Sequence, residues 1–368
     1  MSLNTAVVGA GKVSGVHLPG IQKNPRTNLV GVCDVDPAKA QEASNRYETR
    51  AYTDVDELLA DESLDWLHVC TPVQTHFDIA KKAIAAGVPL LIEKPVTETA
   101  AEVEELARLA SQNGVPISPV HQHLFRPAVH RAREMIQSDG FGKIRAVDLV
   151  YSGNTLPDEV NRGSWVFELP GGEFEEGLPH PIYTTLGLGG YPRDPSAINV
   201  STSLAGEYDR PFDYDSVQVQ YTTADDVLCS AKVLAGGIPK RQITVHGEER
   251  TITIDNHLQM IHTTDSDFTG STVRKAKQAF QEAASRITGV AGNARFVIST
   301  QLSGDWDTEK MGDAHYHQFD RTAIALETGS EMPVPISSAE WTIRIMDQIR
   351  AAAAGEIAES RLTPVDSV

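Results

Sequence analysis

Between Thr5 and Ser118, short β-branched or apolar runs alternate with longer stretches whose apolar residues recur every three or four positions. That is the pattern of repeated βαβ units around a parallel sheet. It predicts strands near 5–8, 28–33, 66–70, 89–92 and 116–118. Helices are predicted over about 14–23, 37–47, 54–60, 75–86 and 99–113, with Asp36-Pro37 and Asp54 as starts and Gly87 and Gly114 as stops. In the last of these, Val103, Leu106, Ala107 and Ala110 share one face while Glu102, Glu104, Glu105 and Arg108 take the other, as in a helix that covers a sheet. After His121 the texture changes. A helix over 127–137 precedes strands at 143–151, 214–222, 226–234, 241–246 and 250–254. Ser216-Val217-Gln218-Val219-Gln220-Tyr221 alternates polar and apolar residues, which suits an antiparallel sheet with one covered face. Helical runs follow at roughly 273–288, 312–328 and 337–354.

Composition narrows the function. The 368 residues carry 32 Lys+Arg against 50 Asp+Glu, a formal charge of −18, without a long basic run. Such a surface repels phosphate backbones, so no nucleic-acid partner is expected. Cys33, Cys70 and Cys229 are far apart and apolar-flanked, and read as buried reduced thiols. Met-Ser-Leu-Asn passes directly into a strand, leaving no room for a secretory leader. The apolar stretches are well short of the roughly 18–20 residues of a membrane helix. The expectation is a cytoplasmic protein with no membrane partner.

Three constellations carry chemistry. In Gly9-Ala10-Gly11-Lys12-Val13-Ser14, between a buried strand and a helix, Gly9 permits a tight turn. Gly11 lets the backbone approach a pyrophosphate that the helix N-terminus stabilises. Ser14 stands at the third glycine position. Asp34 ends the second strand about 20 residues on, where a carboxylate accepts hydrogen bonds from ribose hydroxyls. Its charge would repel a 2′-phosphate, which favours NAD over NADP. Glu93-Lys94-Pro95 follows the strand ending at Ile92, and ligands of open α/β sheets bind beyond the carboxyl ends of strands. The third lies in Leu169 to His180, where Pro179 and Pro181 fit a first helical turn and set Glu176 and His180 at a helix entrance. Imidazole is suited to shuttling a hydroxyl proton near neutral pH.

Gly9-x-Gly11, Asp34, Cys70-Thr71-Pro72 with His76, and Glu93-Lys94-Pro95 together resemble the Gfo/Idh/MocA family of NAD(P)-dependent oxidoreductases. The likeness is tight to residue 127 and loose afterward. It implies an α/β N-terminal Rossmann domain with a parallel sheet over 1–125. An α+β domain with a large open, mostly antiparallel sheet would follow over 126–368, its late helices candidates to pack back on the first. It implies a cofactor bordered by Gly9, Gly11, Lys12, Val13, Asp34, Thr71, Pro72, His76, Glu93, Lys94 and His121. Catalysis falls to Lys94, which polarises the reacting oxygen, His180, which relays the proton, and Glu176, which orients it. The family has Asp where this chain has Glu176. His123, Arg162, Trp165 and Tyr183 join Lys94, Glu176 and His180 as candidates to line the substrate. No metal is expected.

The implied activity is hydride transfer between nicotinamide and a secondary alcohol or ketone of a sugar, cyclitol or related polyol. A nucleotide-linked sugar acid dehydrogenase and a non-catalytic dinucleotide sensor are the alternatives. Family members commonly assemble through the open sheet, so a homodimer or homotetramer is expected. His315 and His317 open a late helix, where they cap it or reach the pocket. The stripe Val273, Ala276, Phe280, Ala283, Ala284 and Ile287 suits packing on the protein itself or on a subunit better than a membrane. Arg274, Lys275 and Lys277 beside it could attract an anionic substrate.

Overall fold

The computed structural model describes residues 2–153, 164–169, 172–208, 212–264 and 314–362, with separate positions between 272 and 287. The chain groups into two units, one of residues 1–122, 160–165 and 313–344, the other of 123–159, 166–312 and 345–368.

The first unit begins β1 (Leu3–Val8), α1 (Ser14–Lys23), β2 (Thr27–Cys33), α2 (Pro37–Tyr47), β3 (Arg50–Tyr52) and α3 (Val55–Asp61). It continues β4 (Trp66–Val69), α4 (His76–Ala85), β5 (Leu90–Ile92), α5 (Ala100–Asn113) and β6 (Ile117–Pro119). All neighbours in the sheet are parallel, in the order β3-β2-β1-β4-β5-β6. The order reverses beside β1, which opens a crevice at the carboxyl ends of β1 and β4. The helix ends follow local chemistry. Asp36 accepts from the Ala38 N–H, and Asp54 from Asp56 and Glu57. Thr99 and Glu102 form a reciprocal capping box, and Gly114 closes α5 at φ +64°. The edge strand β3 is too short to announce itself by periodicity.

In the second unit α6 (Pro127–Gln137), β7 (Ile144–Gly153) and α7 (Pro179–Gly189) precede β8 (Asn199–Ser203), β9 (Ser216–Thr222), β10 (Leu228–Gly247), β11 (Thr251–Asp255) and β12 (Met260–Thr264). The sheet runs β12-β11-β10-β9-β8, with β7 paired to β10. The strands expected at 226–234 and 241–246 are the two halves of β10. Its first half pairs with β9, its second with β11, and β7 pairs with both. Gly236 and Gly237, both at φ +77°, allow the reversal between them. One face of this mostly antiparallel sheet is covered by α7, whose residues are buried almost throughout.

Two late helices follow, α8 (Ala314–Thr328) and α9 (Ile336–Leu362). In the first unit α8 packs on α1. Its fully buried Phe319 lies where a side chain at Gly20 would project, and joins a core with Trp66, Leu91 and Val120. Among the described residues, no helix is long and apolar enough to cross a membrane.

Candidate functional site

The loop after β1 is built around two glycines with different reasons to be there. Gly9 has φ +98°, and a Cβ on it would sit 2.7 Å from the Cys70 carbonyl and 2.9 Å from the Thr71 nitrogen. Only glycine fits both the dihedral and the approach. Gly11 is exposed, with nothing within 4 Å of the place its Cβ would take. That open cradle lies at the N-terminal end of α1, whose dipole favours an anion. The buried Ser14 closes the loop through Oγ to the Gly11 carbonyl at 2.6 Å. Lys12 is exposed and Val13 half-buried. At the end of β2, Asp34 accepts from the Ala10 N–H at 2.7 Å and the Asp36 N–H at 2.9 Å. Each oxygen makes one backbone bond, and a carboxylate's remaining lone pairs suit two hydroxyls. Glycine cradle, helix end and acceptor carboxylate fit a dinucleotide.

The turns after β4 and β5 are tied together. His76, buried, reaches the Thr71 carbonyl through Nε2 at 2.8 Å and the Pro95 carbonyl through Nδ1 at 3.0 Å. Thr71 is half-buried and Pro72 exposed beside it. Glu93, at the end of β5, is 5% exposed and uses both oxygens. Oε2 accepts the Lys94 N–H at 3.1 Å, and Oε1 meets His17 Nε2 at 2.9 Å. Behind it His17 Nδ1 lies 2.8 Å from His68 Nδ1, with both rings fully buried. The His315 ring is 6.2 Å from that of His17. Burial alone would raise the Glu93 pKa. The hydrogen bond and charge of His17, with smaller contributions from His315 and Lys94, override it and hold the carboxyl at about 2. Burial and the neighbouring His17 push His68 well below the usual imidazole range. An ionised Glu93 thus fixes the backbone of Lys94, which is half-buried and followed by a cis bond to Pro95.

His121 is also fixed within the first unit, by Gln318 of α8 and Ser338 near the start of α9. Its N–H donates to Gln318 Oε1 at 2.9 Å, and its Nδ1 meets Ser338 Oγ at 3.1 Å. Burial lowers its pKa to about 3, so the ring is neutral. Of these partners only His315 stood out in the sequence, as a residue that caps a late helix or reaches the pocket; His17, His68 and Gln318 did not. They meet Glu93 and His121 only through the fold.

In the second unit His180 enters α7 one residue after Pro179, which occupies the first helical position. One helical turn on, the Tyr183 hydroxyl lies 2.8 Å from His180 Nδ1 and accepts the His123 N–H at 3.2 Å. The His123 and His180 rings stack at 4.3 Å, 18° apart. Tyr183 is fully buried. A phenol both donates and accepts, so it can serve Nδ1 in either protonation state of the imidazole while leaving proton exchange to Nε2. Glu176 is 6% exposed, in the turn Glu173–Gly177 ahead of α7. Its neighbour Glu175, 1% exposed, is clamped by Arg350 of α9, whose Nε donates at 2.6 Å. Trp165 is half-buried in the 3-10 turn Ser164–Glu168, and His317 is half-buried on α8. Arg162 lies outside the described residues. Among those described, no group of three His, Cys, Asp or Glu residues is placed to hold a metal, and the three cysteines are buried and free.

Residues 3–121 match the model of the GFO_IDH_MocA oxidoreductase family, described as an NAD-binding Rossmann fold. An uncharacterized oxidoreductase of Synechocystis is 28% identical over 65% of this chain and 64% of its own length. Inositol 2-dehydrogenase of Rhizobium meliloti is 25% identical over 70% of this chain and 76% of its own. An oxidoreductase from Agrobacterium radiobacter, solved with NAD+, L-tartaric acid and magnesium, superposes with TM-score 0.76 over 97% of both chains at 15% identity. That last likeness extends the shared fold to the second unit. Over residues 3–121 the chain is thus similar to the NAD-binding Rossmann domain of the Gfo/Idh/MocA oxidoreductases.

Proposed function

We propose that the protein is an NAD-dependent dehydrogenase that interconverts a secondary alcohol and a ketone on a sugar, cyclitol or related polyol. The observation that carries this reading is the anchoring of Lys94. It stands at the carboxyl end of β5 in an NAD-binding domain, its backbone held by a buried carboxylate kept ionised by His17. Similarity to inositol 2-dehydrogenase supports the polyol class. NAD supplies the hydride acceptor, or NADH the donor. The Lys94 ammonium hydrogen-bonds the reacting oxygen and stabilises its alkoxide character as the hydride leaves the carbon. His180 Nε2 takes the hydroxyl proton, or returns it in the reductive direction, while Tyr183 holds the ring. Glu176 orients the imidazole or a substrate hydroxyl. Asp34 receives the adenosine ribose hydroxyls, which favours NAD over NADP.

Titration with NADH and NADPH, followed by quenching of protein fluorescence, tests the cofactor half. Tighter binding of NADH is expected, and preference for NADPH would remove the role given to Asp34. Lys94→Ala tests the chemistry. Turnover of the best polyol should fall about 100-fold or more with NADH affinity retained. An unaffected variant would overturn the assignment. Wild-type protein that binds NADH yet turns over no polyol would leave the non-catalytic sensor as the better reading.

A further inference from the structure

The second unit holds a narrow cleft between α7 and the sheet, lined by His123, Tyr151, Pro181, Thr184, Arg241 and Asn256 among others. Register explains the lining. Tyr151 of β7 pairs directly with Arg241 of β10, and Leu149 with Ile243, so the pairs alternate onto the sheet face that α7 covers. The Arg241 guanidinium lies 4.6 Å from the centre of the Tyr151 ring. A second guanidinium, Arg126, stands near it and donates to the Asn256 carbonyl at 3.2 Å. Its surroundings are mostly desolvated. That burial lowers its pKa, and the like charge of Arg241 adds to the lowering.

Neither arginine has a carboxylate within 4.0 Å among the described residues. Two like charges brought together in a partly buried place, without a counter-ion, are costly for a folded protein to keep. Other arginines of the same unit are paired: Arg350 with Glu175 and Asp347, and Arg145 with Glu248. His123, one wall of the cleft, stacks on His180, so a group seated here lies next to the imidazole assigned to proton transfer.

We propose that Arg126 and Arg241 form an anion subsite, and that the substrate is a polyol bearing a carboxylate or a phosphate. This deepens the dehydrogenase reading and rests on it for the role of His180. The anion is held by charge-assisted hydrogen bonds from the two guanidiniums, and carboxylates and phosphates alike fit their planar forks. A neutral polyol would leave the two charges unanswered, so the subsite selects against it.

The test uses full-length protein with NADH present and compares D-glucose, D-glucuronate, glucose 6-phosphate and inorganic phosphate by calorimetry and thermal shift. At least one of the two anionic sugars should bind about tenfold or more tightly than glucose, and inorganic phosphate should compete with it. Glucuronate alone points to a sugar acid, and glucose 6-phosphate alone to a phosphorylated polyol. Arg126→Gln and Arg241→Gln should each lose that preference with NADH affinity unchanged, and Arg241→Lys should keep part of it. Equal binding of neutral and anionic sugars, no sugar binding, no competition by phosphate, or glutamine variants that behave as wild type would each overturn the subsite. If one variant fails to fold, competition in the wild type and the other variant still decide. Failure of wild-type protein to bind NADH would instead overturn the dehydrogenase reading, leaving the sugar comparison to judge the arginines.

Discussion

Tyr183 shows how much a single buried hydroxyl can set. It is fully buried, and its oxygen serves both the His180 ring and the His123 backbone. Tyr183→Phe would leave Nδ1 and that N–H without their partner, a loss of about 1–3 kcal/mol of stability. If His180 moves the proton, kcat should fall about tenfold with a shifted pH profile, while NADH affinity stays as in wild type. That is less than the roughly 100- to 10,000-fold worth of a whole acid–base group. Steady-state kinetics across pH separates the cases, and an unchanged kcat would remove Tyr183 from this role. The partnership has a local sign in the sequence, since residues three apart on a helix are neighbours. Glu93 is different. Its carboxylate depends on His17 from α1, 76 positions away, and behind it on His68 from β4. No spacing rule connects them.

At the level of elements, the glycine loop is where backbone conformation and packing make the same demand. Gly9→Ala must place a Cβ 2.7 Å from the Cys70 carbonyl in a backbone already at φ +98°. The loop would have to shift, at a cost of about 1–3 kcal/mol from the dihedral alone. NADH affinity should fall about tenfold or more, and fluorescence titration beside the thermal midpoint measures both effects. Wild-type affinity would show that the loop does not seat the pyrophosphate. The helices of the first unit were legible because their signals are local: Asp36, Asp54 and Thr99 cap starts within three residues of themselves. Strands β3, β8 and β12 were not, because three to five residues carry too little pattern; the equally short β6 was located by the Gly114 stop of the helix before it. The extent of α7 was hidden for the opposite reason. A helix buried on nearly every side shows no polar face to give a period.

At the scale of the whole molecule, buried ionisable groups couple folding to pH. His68 and His121 have folded pKa values below 6.5, His121 at about 3, so the unfolded chain binds more protons between those limits. Stability therefore falls as pH drops below about 6.5, by up to about 1.4 kcal/mol per pH unit for each ring. Glu93 works over a lower range. Its depressed pKa contributes stability above the ordinary 4.5, and that contribution is lost as pH falls toward 2. Thermal midpoints from pH 8 to 4 should decline from pH 6.5 downward, and His121→Gln should flatten the decline. A level profile down to pH 5 would mean that these rings are not buried neutral. The sequence by itself determined what depends on neighbours along the chain: the βαβ order, the helix caps, the glycine turn with its acidic partner, and the types of residue that do chemistry. Tertiary structure decided what depends on residues distant in sequence and adjacent in space. It set the ionisation of Glu93, the confinement of His121 by α8 and α9, and the meeting of Arg126 with Arg241 across 115 positions. Propensity and spacing act over a few residues, whereas desolvation and Coulomb forces act over ångströms, and only folding turns one measure into the other.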